Sequence, residues 1–168
     1  MRIAFTGKAG VGKTTAAMYL VRAYGMKRHS FAEPLKVMAR ELWPEQFENG
    51  KPRVLLQELG MLLRGFDRDV WANYLVRTIV SETAVDGKTS FVVDDLRYLN
   101  EEKILRLNGF KICRIVGPQR VEMPPGSENH PSETEQDSIN ADIILLNNGS
   151  KMELYSLLDE TLANNDRF

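Results

Sequence analysis

Cysteine is almost missing from this chain. Cys113 stands alone among 168 residues, which excludes an intrachain disulfide and any metal site built from several thiolates. It lies in Phe110-Lys111-Ile112-Cys113-Arg114-Ile115-Val116, where a small buried residue on a strand is the expected role. A dominant charge is missing as well. The 22 lysines and arginines nearly balance the 23 aspartates and glutamates, for a net charge of −1. No general field therefore draws the chain to a nucleic-acid polymer or an anionic membrane, and any grip on phosphate must come from a local cluster. No apolar run is long enough to span a bilayer and nothing resembles a secretion signal, so neither a membrane nor a polymer partner is expected and the cytoplasm is the expected location. Repeats, low-complexity tracts and linkers are also lacking. Residues 1–168 read as one domain, and 43% hydrophobic with 27% charged residues is ordinary for a globular chain able to bury a core.

Gly7-Lys8-Ala9-Gly10-Val11-Gly12-Lys13-Thr14 is the most informative segment present. It fits the phosphate-binding pattern G-x-x-x-x-G-K-[ST] at every fixed position. Residues 1–5 before it read as a short buried strand. Residues 14–24 after it read as a helix, with Ala17, Leu20, Val21 and Tyr24 on one face. A strand, a glycine-rich loop and a helix N-terminus aim successive backbone N–H groups at a polyphosphate. In this pattern Lys13 reaches the β- and γ-phosphates and the Thr14 hydroxyl ligates Mg²⁺. The chain is expected to bind a nucleoside triphosphate.

The remaining pattern alternates. Short strands are expected near residues 27–31, 90–93, 110–116 and 142–146, and helices near 32–43, 53–64, 69–81, 100–108 and 150–163. Expected inward faces are Leu35, Met38, Ala39 and Leu42, then Leu55, Leu56, Leu59, Leu62 and Leu63, then Val70, Trp71, Tyr74, Leu75 and Ile79. The methionines Met18, Met38 and Met61 read as packing. Most strands are continuous apolar runs, which points to an α/β fold with a five-stranded parallel sheet and helices on both faces. Residues 117–137, rich in proline, glycine and polar groups, are too long and polar for a simple connection and read as a mobile functional loop. In such sheets ligands sit beyond the carboxyl ends of the strands, where the phosphate loop, Asp94-Asp95 and Gly117 all fall.

Asp94 and Asp95 could supply the carboxylate of a Mg²⁺ shell or a helix cap. Period-two alternation puts their side chains on opposite sides. Cations that could meet the same edge are Lys36, Arg40, Arg64, Arg68, Arg97 and Arg120. Arg68 and Arg97 stand out because they adjoin constrained turns, and arginine suits such sites through its bidentate fork.

The ordered set Phe31-Ala32-Glu33-Pro34-Leu35-Lys36, Gln57-Glu58-Leu59-Gly60, Phe66-Asp67-Arg68-Asp69-Val70-Trp71, Asp95-Leu96-Arg97-Tyr98-Leu99-Asn100-Glu101, His130-Pro131-Ser132-Glu133 and Asn147-Asn148-Gly149-Ser150, together with the phosphate loop, resembles the deoxynucleoside monophosphate kinases of bacteriophages over nearly the whole chain. The resemblance implies a three-layer α/β/α nucleoside monophosphate kinase fold with a mobile lid. It implies transfer of the γ-phosphoryl group of ATP to a deoxynucleoside monophosphate, with Mg²⁺, in the host cytoplasm if the chain is phage-encoded. It also implies that Gly10, Val11, Gly12, Lys13, Thr14 and Thr15 hold the ATP phosphates, that Asn148 and Gly149 approach the adenine, and that Lys36, Arg64, Arg68, Trp71, Asp95 and Arg97 bind the acceptor. Residues 32–80 would be the acceptor-binding region and 117–137 the lid, bringing Arg120 to the phosphates. Asp95, rather than Asp94, matches the acid of the Asp-x-Arg element, so Thr14 and Asp95 are the implied metal ligands, and Lys13, Arg68, Arg97 and Arg120 the implied catalytic cations. The segment Gly12-Lys13-Thr14-Thr15 departs from the Gly-Lys-Asp-Thr of much of the group, which leaves the role of Thr15 open.

Trp71 and Tyr98 could stack on the acceptor base, or Trp71 could pack in the core. His130 could meet a phosphate or face solvent. A kinase for another small acceptor, such as dephospho-coenzyme A or a phosphorylated alcohol, and a nucleotide-dependent switch that passes no phosphoryl group on are the alternative readings. The resemblance permits a homodimer, although no helix advertises an interface.

Overall fold

The computed structural model describes residues 1–87, 89–121 and 134–163. His130 and most of the expected lid, 122–133, lie outside them. Five strands form one sheet: β1 (Arg2–Thr6), β2 (Lys27–His29), β3 (Phe91–Val93), β4 (Lys111–Val116) and β5 (Ile143–Leu146). Their order is β2-β3-β1-β4-β5, with every neighbouring pair parallel. Among the described residues the α-helices are α1 (Lys13–Tyr24), α2 (Glu33–Leu42), α3 (Arg53–Phe66), α4 (Val70–Asp86), α5 (Leu99–Leu107) and α6 (Lys151–Ala163). Short 3₁₀ turns at Pro44–Phe47 and Glu135–Ser138 complete the described elements.

Strand alternation divides the core into two layers. Ala4, Phe91, Val93 and Ile112 point to one face, under α2, α3, α4 and α5, where Leu35, Leu56, Trp71, Leu75, Ile79 and Leu105 meet them. Ile3, Phe5, Val92, Cys113 and Ile115 point to the other and are covered by Ala16, Ala17 and Leu20 of α1 and Leu154 and Leu158 of α6. Burial on both faces is why the strands read as unbroken apolar runs. Cys113 is buried on β4 as expected, and loss of solvent pushes its thiol up to about 12.

The buried helix faces are narrower than the apolar periodicity predicts. Tyr24, Leu42, Leu62 and Tyr74 are each more than two-fifths exposed, and Met18 and Met61 lie at the surface rather than packing. Each helix packs through a narrow stripe, such as Leu35 and Ala39 of α2 or Leu56 and Gly60 of α3, so apolar residues on the flanks of the stripe stay in water. Tyr24 uses its position differently, donating its hydroxyl to Asp159 of α6 at 2.7 Å.

Candidate active site

The phosphate loop leaves β1 and turns into α1 through three glycines at positive φ: Gly7, Gly10 and Gly12. Gly12, at φ 107°, is the N-cap of α1. A Cβ there would come within 2.6 Å of the Asn147 side-chain amide, so backbone conformation and packing both require glycine. Lys13 folds back across its own loop. Its ammonium donates to the carbonyls of Gly7 at 2.5 Å and Lys8 at 2.8 Å. The residue is only 8% exposed. Burial, with Arg97 adding to it, pulls the amine down to about 7, against the opposing pull of Asp95 and Asp94.

Around this loop opens a cleft of about 700 Å³ lined by residues from nearly every strand end. Asp94 and Asp95 follow β3 at its rim. The buried carboxylate of Asp94 accepts from Arg28 Nη2 at 2.9 Å, while its Oδ1 has no hydrogen-bond partner among the described residues. Asp95 is committed elsewhere. Its oxygens accept from Ser30 Oγ at 2.6 Å and from the backbone N–H groups of Phe31 at 2.9 Å and Ala32 at 3.0 Å, tying the turn between β2 and α2 to the sheet. The Thr14 side chain is exposed in the same cleft. A buried carboxylate oxygen without a partner and a hydroxyl lining the same cleft are the donor types a hard divalent cation takes, so the chemistry of this pair fits Mg²⁺.

The structure brings most of the sequence-derived residues to this one cleft. Gly10, Gly12, Lys13, Thr14, Thr15, Lys36, Arg64, Trp71, Asp95, Arg97, Arg120 and Gly149 all line it. Arg120 donates to the carbonyls of Asn147 at 3.1 Å and Gly149 at 3.0 Å, which ties the start of the expected lid to the loop after β5. Lys36 bridges to Glu33 at 3.1 Å. Trp71 is buried, with its indole N–H 3.5 Å from the carbonyl of Gly60. It therefore packs in the core and also faces the cleft. Three expected residues do not line it. Val11 is buried with the α1-side core, Asn148 is exposed outside the cleft, and Arg68 is exposed, with its backbone carbonyl accepting from Asn100.

Asn147, in the segment Asn147-Asn148-Gly149-Ser150 that carries part of the resemblance, is buried and donates from Nδ2 to the carbonyl of Val11 at 2.7 Å, joining the β5–α6 loop to the phosphate loop. Other lining residues carried no expected role. Lys51, just before α3, and Arg53, the first residue of α3, line the cleft. Burial and the charges of Lys36, Arg97 and Arg53 hold the Lys51 amine below its ordinary range. Glu101 lines the cleft while only 2% exposed, and its Oε1 accepts from Arg64 Nη2 at 2.6 Å. Its chain position at the third residue of α5 was a signal for a capping carboxylate, but nothing local announces Arg64 as a partner 37 residues away.

No family model matches the chain. Among solved structures the fold is similar to a sugar kinase from Janibacter (TM-score 0.58, 17% identity, covering 96% of this chain and 92% of that one). It is also similar to the dephospho-CoA kinase of Campylobacter jejuni (TM-score 0.54, 17% identity, 97% and 96%) and to the shikimate kinase of Aquifex aeolicus (TM-score 0.52, 20% identity, 98% and 98%). At these identities the likeness concerns the fold, that of the P-loop kinases. An uncharacterised protein of Ictalurid herpesvirus 1, ORF76, is 26% identical over 95% of this chain and 66% of its own length. A protein of Acanthamoeba polyphaga mimivirus, provisionally named deoxynucleotide monophosphate kinase, is 30% identical over 96% of both chains. The chain belongs to the family of that viral protein, within the P-loop kinases, and is an ATP-dependent phosphotransferase.

Proposed function

We propose that the protein transfers the γ-phosphoryl group of ATP to the 5′-phosphate of a deoxynucleoside monophosphate, giving ADP and a deoxynucleoside diphosphate. The observation that carries this reading is the mixed lining of the cleft beyond the phosphate loop's own residues. Lys36, Lys51, Arg53 and Arg97 line it together with the apolar Phe31, Leu56 and Trp71. Cations beside aromatic and aliphatic surface suit a ligand that is phosphate at one end and a flat base at the other. The name of the mimivirus relative supports the same acceptor.

On this reading residues 32–80 form the acceptor side and residues 117–137 the lid. The loop amides around Gly10 and Gly12 and the Lys13 ammonium would bind the β- and γ-phosphates, Lys13 exchanging the carbonyls of Gly7 and Lys8 for phosphate oxygens. Thr14 and Asp94 would hold magnesium, which when bound neutralises charge on the phosphate oxygens. Asp94 suits this role better than Asp95, whose oxygens are taken up by the β2–α2 turn. Arg97 and Arg120 would offset charge spreading over the group in flight. No strong base is needed, because the attacking phosphate oxygen is already anionic at neutral pH.

That last point separates this reading from an alcohol acceptor, which needs a carboxylate aimed at the hydroxyl. Asp95 and Glu101 are both occupied with donors, and Asp94 is in electrostatic reach of Lys13. The test is ADP release across a panel of deoxynucleotides, ribonucleotides, dephospho-coenzyme A and phosphorylated alcohols. Turnover with one or more deoxynucleoside monophosphates is expected, and activity confined to a non-nucleotide acceptor would overturn the reading.

A further inference from the structure

We propose that Glu101 is a positioning residue for the acceptor side of the cleft, joining Arg64 of α3 to the Arg97–Tyr98 turn so that both arginines are presented as one unit. The inference rests on the deoxynucleotide reading of that side. One carboxylate does two things. Glu101 Oε2 accepts from the backbone N–H groups of Arg97 at 3.1 Å and Tyr98 at 3.2 Å, and Oε1 accepts from Arg64 Nη2 at 2.6 Å. The Arg64 guanidinium then lies over the Tyr98 ring, 4.2 Å from its centroid, and its Nε is buried without a partner among the described residues.

Capping α5 explains only half of this. A glutamine at the third helical position serves a capping box as well as a glutamate does, and it avoids burying a charge. The carboxyl group is raised to about 7 by burial, with Asp95 adding to the rise, while Arg64 and the Arg97 N–H oppose it. A carboxylate is needed because both sides of Glu101 face donors. An amide has one acceptor oxygen and one donor nitrogen, so Glu101→Gln must set N–H against N–H either at the turn or at Arg64.

The experiment compares wild type, Glu101→Gln, Arg64→Ala and the double variant in steady state, with ATP and a deoxynucleoside monophosphate that wild type uses. Each single change is expected to raise the acceptor KM about tenfold or more, with the ATP KM within about twofold. The double variant should be no worse than Arg64→Ala, because the two residues act as one. An unchanged acceptor KM in Glu101→Gln, an equal rise in the ATP KM, or additive effects in the double variant would each overturn the proposal. If thermal melting shows that Glu101→Gln does not fold, Arg64→Ala decides alone, and an unchanged acceptor KM there is fatal. Wild-type inactivity toward every deoxynucleotide would remove the nucleotide reading and this proposal with it. An active wild type with an indifferent Glu101→Gln removes this proposal only.

Discussion

Asp94 and Asp95 are adjacent in the chain and opposite in use. Asp94 keeps one buried oxygen without a partner beside its bond to Arg28, whereas Asp95 holds three donors of the β2–α2 turn. Their substitutions should therefore fail differently. Asp94→Asn is expected to fold and to lower kcat by about 10² or more, the scale of losing one electrostatic contact to a transition state, with a raised magnesium requirement. Asp95→Ala removes three hydrogen bonds to a carboxylate and should lower stability by about 2–4 kcal/mol, read from urea unfolding. The reverse pattern, a stable but inactive Asp95→Ala and an active Asp94→Asn, would return the metal to Asp95.

The two arginines singled out in the sequence for adjoining turns part company in the structure. Arg97 lines the cleft within electrostatic reach of Lys13 and Asp95, while Arg68 is exposed outside it. Arg97→Ala should lower kcat at saturating substrates by about 10²–10³ with an unchanged far-ultraviolet circular dichroism spectrum. Arg68→Ala should stay within about threefold of wild type, as exposed charges contribute little. Equal losses in both variants would mean that Arg68 swings in when the acceptor binds.

The sheet and its phosphate loop were legible because both are local signals. Glycine spacing at Gly7, Gly12 and Lys13 and apolar runs such as Phe91-Val92-Val93 are short enough to read along the chain. The partners of the site were not. Lys51 lies in a stretch that reads only as polar loop, and Glu101 meets Arg64 across 37 positions. Asp95 stands in a recognisable motif, yet its hydrogen-bond partners lie 63 to 65 positions earlier, where no local pattern announces them. Helix faces erred in the other direction. Periodicity marks every apolar residue near a stripe, while packing buries only the centre, so Leu62 and Tyr74 ended in solvent.

Asn147 supplies a test of the ATP side alone. Its side-chain amide holds the Val11 carbonyl at 2.7 Å and sits against Gly12, so it fixes the loop whose amides are proposed to meet the phosphates. Asn147→Ala leaves a buried carbonyl unpaired, at a cost of about 1–3 kcal/mol, and loosens the loop. The ATP KM should rise about tenfold and the acceptor KM should hardly move. Isothermal titration with a non-hydrolysable ATP analogue checks the first half, and unchanged affinity there would assign Asn147 to packing alone.

If Lys13 meets the phosphates as proposed, ATP binding is expected to be proton-linked. Its folded-state pKa is lowered from 10.5 to about 7, chiefly by burial, so between those values the free enzyme holds a neutral amine while the unfolded chain holds a charged one. The unfolded state then binds more protons, and this group makes stability rise with pH across the window from about 7 to about 10.5. ATP would reverse the preference, because anionic phosphate oxygens beside Lys13 favour its ammonium form. Binding at pH 8 should therefore take up close to one proton, and ATP affinity should fall with rising pH, approaching tenfold per unit above about 7. Titration calorimetry at pH 8 in two buffers of different ionisation enthalpy measures the uptake directly. The Lys13→Met variant should lose it, and an uptake that persists in that variant would place the titrating group elsewhere.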